Sequence, residues 1–426
     1  MEKTRKIRRW YRLDNAANLY PALRSRKRPG IFRISASLKE CVDPPVLQQA
    51  LDDTLKRIPG FSVKLRAGLF WYYFVHSDEQ VLIQPDVINP CTQISGRENM
   101  GFLLRVRYHS NRIALELFHS IADGTGAIVF LKTLIARYLN LQGATIPATH
   151  GILDCDKPPR VEESTDFFPS FAGGTVMRDR AERRAFQIDG SPLHPKKLKI
   201  ITGTISVNAL KKISKGYGVS ITEYLAAVLL HSLDRLQRSQ RSLRLQPVAI
   251  QLPVNLRQYN KSKTLRNFSS FVRPAIDPRK GSYTFDEVVA LVHHFMHLEV
   301  TEKNMRARVA GNVRSEQNRF VRMMPLWIKN RVIYLGYKFI GPVSFTSTLS
   351  NLGSMEVPQQ MQPHVKSFDI ILCASSETKV KCAVAGYNGS IRVNFTSVIH
   401  ETYIERAFFT HLVEQGIPVE IESNQE

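Results

Sequence analysis

Between Arg112 and Leu139 the hydrophobic pattern changes period once, and the six residues at the change, 119–124, read His-Ser-Ile-Ala-Asp-Gly. Before the change, Ile113, Leu115, Leu117 and His119 alternate with Ala114, Glu116 and Phe118, the two-residue repeat of a strand. After it, Ile128, Leu131, Ile135 and Tyr138 share one side of a helix that begins near Thr125. A strand running into a helix needs a sheet to join and a core to cover, which makes the fold a packed α/β one. Composition agrees. With 43% hydrophobic and 23% charged residues, disorder is excluded over most of the 426 residues, and that length suits two or three domains or one fold with two lobes.

The same signals recur along the chain. Pro44–Arg57 has helical apolar spacing at Val46, Leu47, Ala50, Leu51 and Leu55. Residues 69–75 (LFWYYFV), 81–84 and 103–108 read as extended, the last joined to the 112–118 strand by a turn at His109, Ser110 and Asn111. Residues 141–197 are rich in Pro, Gly, Ser and acids and read as a connection between lobes that packs on the surface. Beyond it the spacing predicts strands at 197–206 and 248–253 and helices at 208–215 and 284–299. A longer helix opens with the capping box Ser220-x-x-Glu223. Strand patterns at 365–373, 380–385 and 390–396 precede a last helix at 404–415. The expected architecture is two α/β lobes, 1–175 and 176–426, with a shared seam and segments crossing between them.

His119 leaves its strand on the side of the apolar row, beside a chain reversal that opens to a cleft. A neutral imidazole there can accept a proton, since its unperturbed pKa lies near 6.5. Asp123, four residues later and just before the helix, gains from the helix dipole and from nearby backbone N–H groups. Gly124 lets the backbone turn without a Cβ clash. This pattern suits a general base, His119, on a loop whose shape Asp123 maintains.

HSIADG resembles the H-x-x-x-D-G motif of acyltransferases with a chloramphenicol-acetyltransferase-like fold. These include peptide-synthetase condensation domains, plant BAHD enzymes and microbial alcohol acetyltransferases, the last being the closest resemblance. Other stretches carry it in the expected order: WYRLDNAANLYP from Trp10, RIPGFSVKLRAGLFWYYF from Arg57, PVNLR ending at Arg257, Asn267, and TLSNLG from Thr348 to Gly353. Phe118 stands where condensation domains place a second histidine, which turns the resemblance away from amide formation between carrier proteins. No D-F-G-W-G of the BAHD type occurs, and the late region reads GYNGSIRVNF.

The resemblance implies two chloramphenicol-acetyltransferase-like lobes forming a V, with an active-site tunnel at the seam. It implies His119 as the base that deprotonates an alcohol or amine acceptor attacking the thioester of an acyl-CoA, with a short acyl group transferred. Arg257 matches the arginine that pairs with the aspartate, here Asp123. Ser350 and Asn351 are candidate oxyanion or substrate contacts. Acyl-CoA enters as co-substrate, with no permanently bound cofactor and no metal. The alternatives are an acidic acyl carrier protein as donor, or a non-catalytic basic binding protein.

The remaining signals are weaker. His293 and His297 in HHFMH are four apart, but no glutamate sits where a zincin needs it and no third ligand is evident, so the reading is a helix face. Phe171 to Gly174 (FAGG) lacks the strand–glycine–helix setting of a dinucleotide site. A net charge of +22, concentrated early at Arg5, Lys6, Arg8, Arg9, Arg12, Arg24, Arg26, Lys27 and Arg28, calls for an anionic partner. Without a nucleic-acid-binding signature, that partner is read as coenzyme A or a carrier protein rather than nucleic acid. Five scattered cysteines without a CxxC pair read as reduced thiols. No apolar run reaches the ~18–20 residues of a membrane span and no signal segment is recognised, so a cytoplasmic monomer is expected.

Overall fold

The Arg112–Phe118 strand is the middle of a five-stranded sheet whose order is Val365–Leu372, Ile31–Leu38, Arg112–Phe118, Leu104–His109 and Gln84–Pro85. The structure, a computed structural model, describes residues 10–425 except 26, 95, 97, 98, 173–182, 241–244 and 340–343. Arg5, Lys6, Arg8, Arg9, Arg26, the glycines of FAGG and the expected lobe boundary at 175/176 lie outside the described residues.

Both faces of the central strand are buried, for different reasons. Ile113, Leu115 and Leu117 join one apolar core with helices Pro44–Arg57 and Gly124–Leu141. On the other face Glu116 is fully buried opposite Arg33 and Arg105 of the two neighbouring strands. Arg105 Nη2 lies 2.7 Å from its carboxylate, and Arg107 and Arg33 lie at 3.5 and 3.6 Å. Cys91 N–H donates to the same carboxylate at 2.9 Å. A buried carboxylate is tolerable only with such partners. A polar–apolar alternation that would normally mark a solvated face is therefore internal here.

The second sheet has eight strands, in the order Ser269–Val272, Val248–Asn255, Ser347–Ser354, Val380–Tyr387, Ser390–Ser397, Lys199–Ser206 and Val419–Ser423, with Ala275–Ile276 also paired to Val248–Asn255. Its two faces serve two cores. Val380, Cys382 and Val384 point into a core shared with helices Ile221–Ser239 and Tyr403–Glu414. Ala383, Ala385 and Tyr387 alternate onto the opposite face and join the core of the first sheet. Val365–Leu372, from the carboxy-terminal half, is an edge strand of the five-stranded sheet, antiparallel to Ile31–Leu38. The seam is thus part of the hydrophobic interior.

Several elements differ from the sequence pattern. The aromatic strand expected at 69–75 runs only over Tyr72–His76, because Gly68 N–H donates to Trp71 C=O and closes a turn. The 81–84 stretch contracts to Gln84–Pro85. Helices Glu302–Gln317, Arg319–Met323 and Leu326–Phe339 occupy a region that carried no prediction. The long connection packs through Glu163, whose carboxylate takes two hydrogen bonds from Arg57 at 2.6 and 2.7 Å while its carbonyl accepts from Leu265 N–H.

Candidate functional site

His119 extends the sheet by one residue. Its N–H donates to Gly30 C=O at 2.9 Å, immediately before Ile31 pairs with Phe118. Gly30 has φ +66°, a conformation that favours glycine. The imidazole emerges on the face of Phe32 and Leu117, which are directly opposed, and lies 4.8 Å from the Phe32 ring. Tyr20 stacks on it at 4.5 Å and 10°. Nδ1 is buried without a hydrogen bond of ordinary geometry, while the residue keeps partial exposure, so Nε2 is the nitrogen open to an incoming group. Burial pushes the imidazole pKa below its ordinary value; its own carbonyl, Asp123 and Asn267 oppose that shift, and Lys381 adds to it. The ring is held neutral at physiological pH.

Asp123 is turned away from the ring. It caps helix Gly124–Leu141, accepting from Gly126 N–H at 3.1 Å. Arg257 donates to both its oxygens, at 2.8 and 3.1 Å, and Phe268 N–H adds a third partner at 2.8 Å. Arg257 is itself held by the carbonyls of Thr264 and Arg266. The ion pair bolts the motif loop to the 255–268 segment. Gly124 proves to be the first helical residue rather than the pivot of a turn, and a Cβ there would come 2.6 Å from Leu352 Cδ2. Gly126, which the sequence reading passed over, is more tightly confined: a Cβ would sit 2.0 Å from the Leu265 carbonyl oxygen.

Strand alternation separates the two candidate polar contacts. Leu349 faces the second core with Asn351, whereas Ser350 shares a face with Leu352, which packs on Gly124. Asn351 is committed: its amide donates to Thr222 Oγ1 at 2.9 Å and its carbonyl oxygen accepts from Gly353 N–H at 2.8 Å. These bonds shape the strand end. Ser350 remains on the motif side.

Of two further groups beside His119, Lys381 had no signal in the sequence, and Asn267 entered only through the resemblance. Lys381 alternates onto the seam face with Ala383, and burial lowers its pKa. Asn267 links the motif loop to the amino terminus, its amide donating to Ser120 C=O at 3.3 Å and to Asp14 Oδ2 at 3.2 Å. Asp14 is fully buried and its pKa is raised by that burial to about 7, against the pull of Arg266.

A cavity of about 750 Å³ reaches the back of the motif loop at Ile121 and Leu265. Arg12, Arg160, Arg266 and Arg322 stand in its wall, with Phe61 and Phe168 supplying apolar surface. The His119 ring is not among its walls. Elsewhere, Glu223 approaches His293 and His297, with ligand atoms within 4.8 Å of one another, so the fold supplies the third group that the local sequence lacked. Both Glu223 oxygens are engaged, Oε2 by Ser220 N–H at 2.7 Å and Oε1 by His293 at 3.2 Å, which accounts for the cluster as a helix cap and its neighbours.

No protein-family model matches the chain, and no curated protein does. Solved structures do. Fusarium graminearum TRI101 complexed with coenzyme A and T-2 mycotoxin superposes with TM-score 0.65 at 12% identity, covering 98% of this chain and 100% of that one. The first condensation domain of the calcium-dependent antibiotic synthetase gives 0.66 at 14%, covering 95% and 96%. The trichothecene 15-O-acetyltransferase TRI3 of Fusarium sporotrichioides gives 0.60 at 11%, covering 95% and 94%. The chain has the condensation-domain and CoA-dependent acyltransferase fold. The agreement extends over almost the whole of each chain, so the likeness belongs to the architecture as a whole and not to the strand–turn–helix alone.

Proposed function

We propose that this protein is an acyltransferase that moves a short acyl group from coenzyme A to an alcohol, with His119 as general base. The observation that carries this reading is a neutral, part-exposed imidazole at the end of a central strand, whose loop is held by a carboxylate turned away from it. The acceptor hydroxyl oxygen attacks the thioester carbonyl as its proton passes to Nε2. The tetrahedral intermediate collapses with cleavage of the C–S bond, and the proton returns to the thiolate, leaving ester and free thiol. General-base assistance of this kind contributes about 10²- to 10⁴-fold. Alignment and oxyanion stabilisation supply the rest, for which Ser350 faces the motif from across the seam. Asp123 and Arg257 are positioning residues.

Support for a coenzyme A donor comes from the arginines in the cavity wall and from matched structures that hold coenzyme A or acyl-CoA. The same cations suit the acidic surface of an acyl carrier protein, the second reading. Thiol release from several acyl-CoAs over a panel of alcohols and amines, with His119→Ala as control, tests both. Consumption of acetyl-CoA that is lost in the variant supports the first, and consumption of a carrier-bound thioester alone supports the second. Equal release by wild type and variant would remove His119 as the base, and salt-sensitive binding to an anionic polymer beside it would support a basic binding module.

A further inference from the structure

Helix Leu326–Phe339 turns its apolar stripe outward. Trp327, Tyr334 and Leu335 fall at helical spacing with Arg331 among them, and all four are exposed. The inner side is fastened: Leu326 N–H donates to Leu69 C=O at 2.8 Å, Lys329 Nζ to Phe70 C=O at 2.7 Å, and Asn330 Nδ2 to the Tyr72 hydroxyl at 2.8 Å. The preceding helix, Arg319–Met323, adds Phe320 and Met323, 85% and 74% exposed. The turn that receives these helices brings exposed Leu69 and Trp71, and Trp10 lies on the strand paired with Tyr72–His76. Arg12 sits 5.9 Å over the Trp71 ring. The chain's three tryptophans are thus all exposed on one connected surface.

We propose that this surface docks on an anionic lipid bilayer. Contiguous exposed apolar area of this kind marks an interaction site. Tryptophan on a basic amphipathic helix is the composition of interfacial segments, and no helix of the described residues is long and apolar enough to cross a membrane. Residues 319–339 hold five cations and no acidic residue. That charge selects a negatively charged lipid surface and opposes a second copy of this chain, which would bring the same cations face to face. Trp10, Arg12 and Arg322 also stand in the cavity wall, so a docked bilayer faces the cavity. On the acyl-transfer reading, on which this step rests, the acceptor arrives from the lipid phase as a long-chain alcohol.

Vesicle flotation, done without substrate so that it stands apart from turnover, tests the docking. Phosphatidylcholine vesicles with about a third phosphatidylglycerol should bind the full chain at least about 10-fold more tightly than phosphatidylcholine alone, with the difference shrinking in salt. Tryptophan emission should shift to the blue on binding. The double variant Trp327→Ser/Met323→Ser, altered only at exposed side chains, should bind about 10-fold more weakly. Arg331→Glu should weaken binding to the anionic vesicles alone. Absence of binding, equal binding to both compositions, or unchanged binding by the double variant would overturn the proposal. So would a salt-insensitive dimer abolished by Trp327→Ser.

Discussion

The two sides of the seam are built on different principles. On the motif side, one loop of six residues presents the His119 imidazole and caps its own helix. On the facing side, Arg257, Leu265 and Asn267 of the 255–268 segment, Leu352 and Lys381 come from three stretches of the chain and only surround that loop. On the proposed reading, one side supplies chemistry and the other fixes where it happens. The contrast is sharpest at Asp123, which belongs to the motif but spends its carboxylate on partners across the seam.

Substitutions can break this division. His119→Ala should lower kcat by about 10²- to 10⁴-fold. Its thermal midpoint should fall by no more than about 3 °C, since the ring is part-exposed and its Nδ1 makes no hydrogen bond of ordinary geometry. Arg257→Ala should do the reverse. It strands the buried Asp123 carboxylate and costs about 3–5 kcal/mol of stability, read by denaturant unfolding. Arg257→Lys should recover part of that loss. An Arg257→Ala protein with wild-type stability and the kinetic defect of His119→Ala would erase the distinction. Gly126→Ala should follow at about 1–3 kcal/mol, because the Leu265 backbone cannot yield as a side chain can. Gly124→Ala should cost less, since its obstacle is the tip of Leu352.

The same division explains what could be read from the sequence. His119 and Asp123 were legible because strand parity and a cap operate over a few residues. Arg257 was reached only through resemblance, since nothing local ties residue 257 to 123. Gly126 was missed because glycine inside a helix gives no sign of which backbone approaches it. Lys381 was missed because its strand reads as buried on both faces, and parity alone does not say which face meets the motif. Helix Leu326–Phe339 carried no prediction, and even a periodicity placing its apolar residues on one side would not say whether another element covers them.

Asp14 gives a smaller effect that concerns the clamp alone. Its pKa, raised to about 7 by burial, means the folded state favours the protonated acid, so its contribution is full at low pH and lost as pH rises through about 7. Asp14→Asn keeps an acceptor for Ala17 N–H and removes the charge. Its thermal midpoint relative to wild type should therefore improve from pH 5 to pH 8. A constant offset over that range would show that Asp14 is already ionised in the fold.

Lys381→Met should produce the smallest change and the most informative one. Burial is the main reason the His119 pKa lies below its ordinary 6.5, and the Lys381 cation lowers it further. The base works when neutral, so the acid limb of the kcat/KM profile should lie below 6.5 in the wild type. Removing the cation weakens the penalty on the imidazolium and should move that limb upward, toward 6.5. A residue that only fills space at the seam would lower the plateau and leave the limb where it was. A limb that moves while the thermal midpoint holds would give the facing side a hand in the electrostatics of the base, and the division drawn above would then be one of degree.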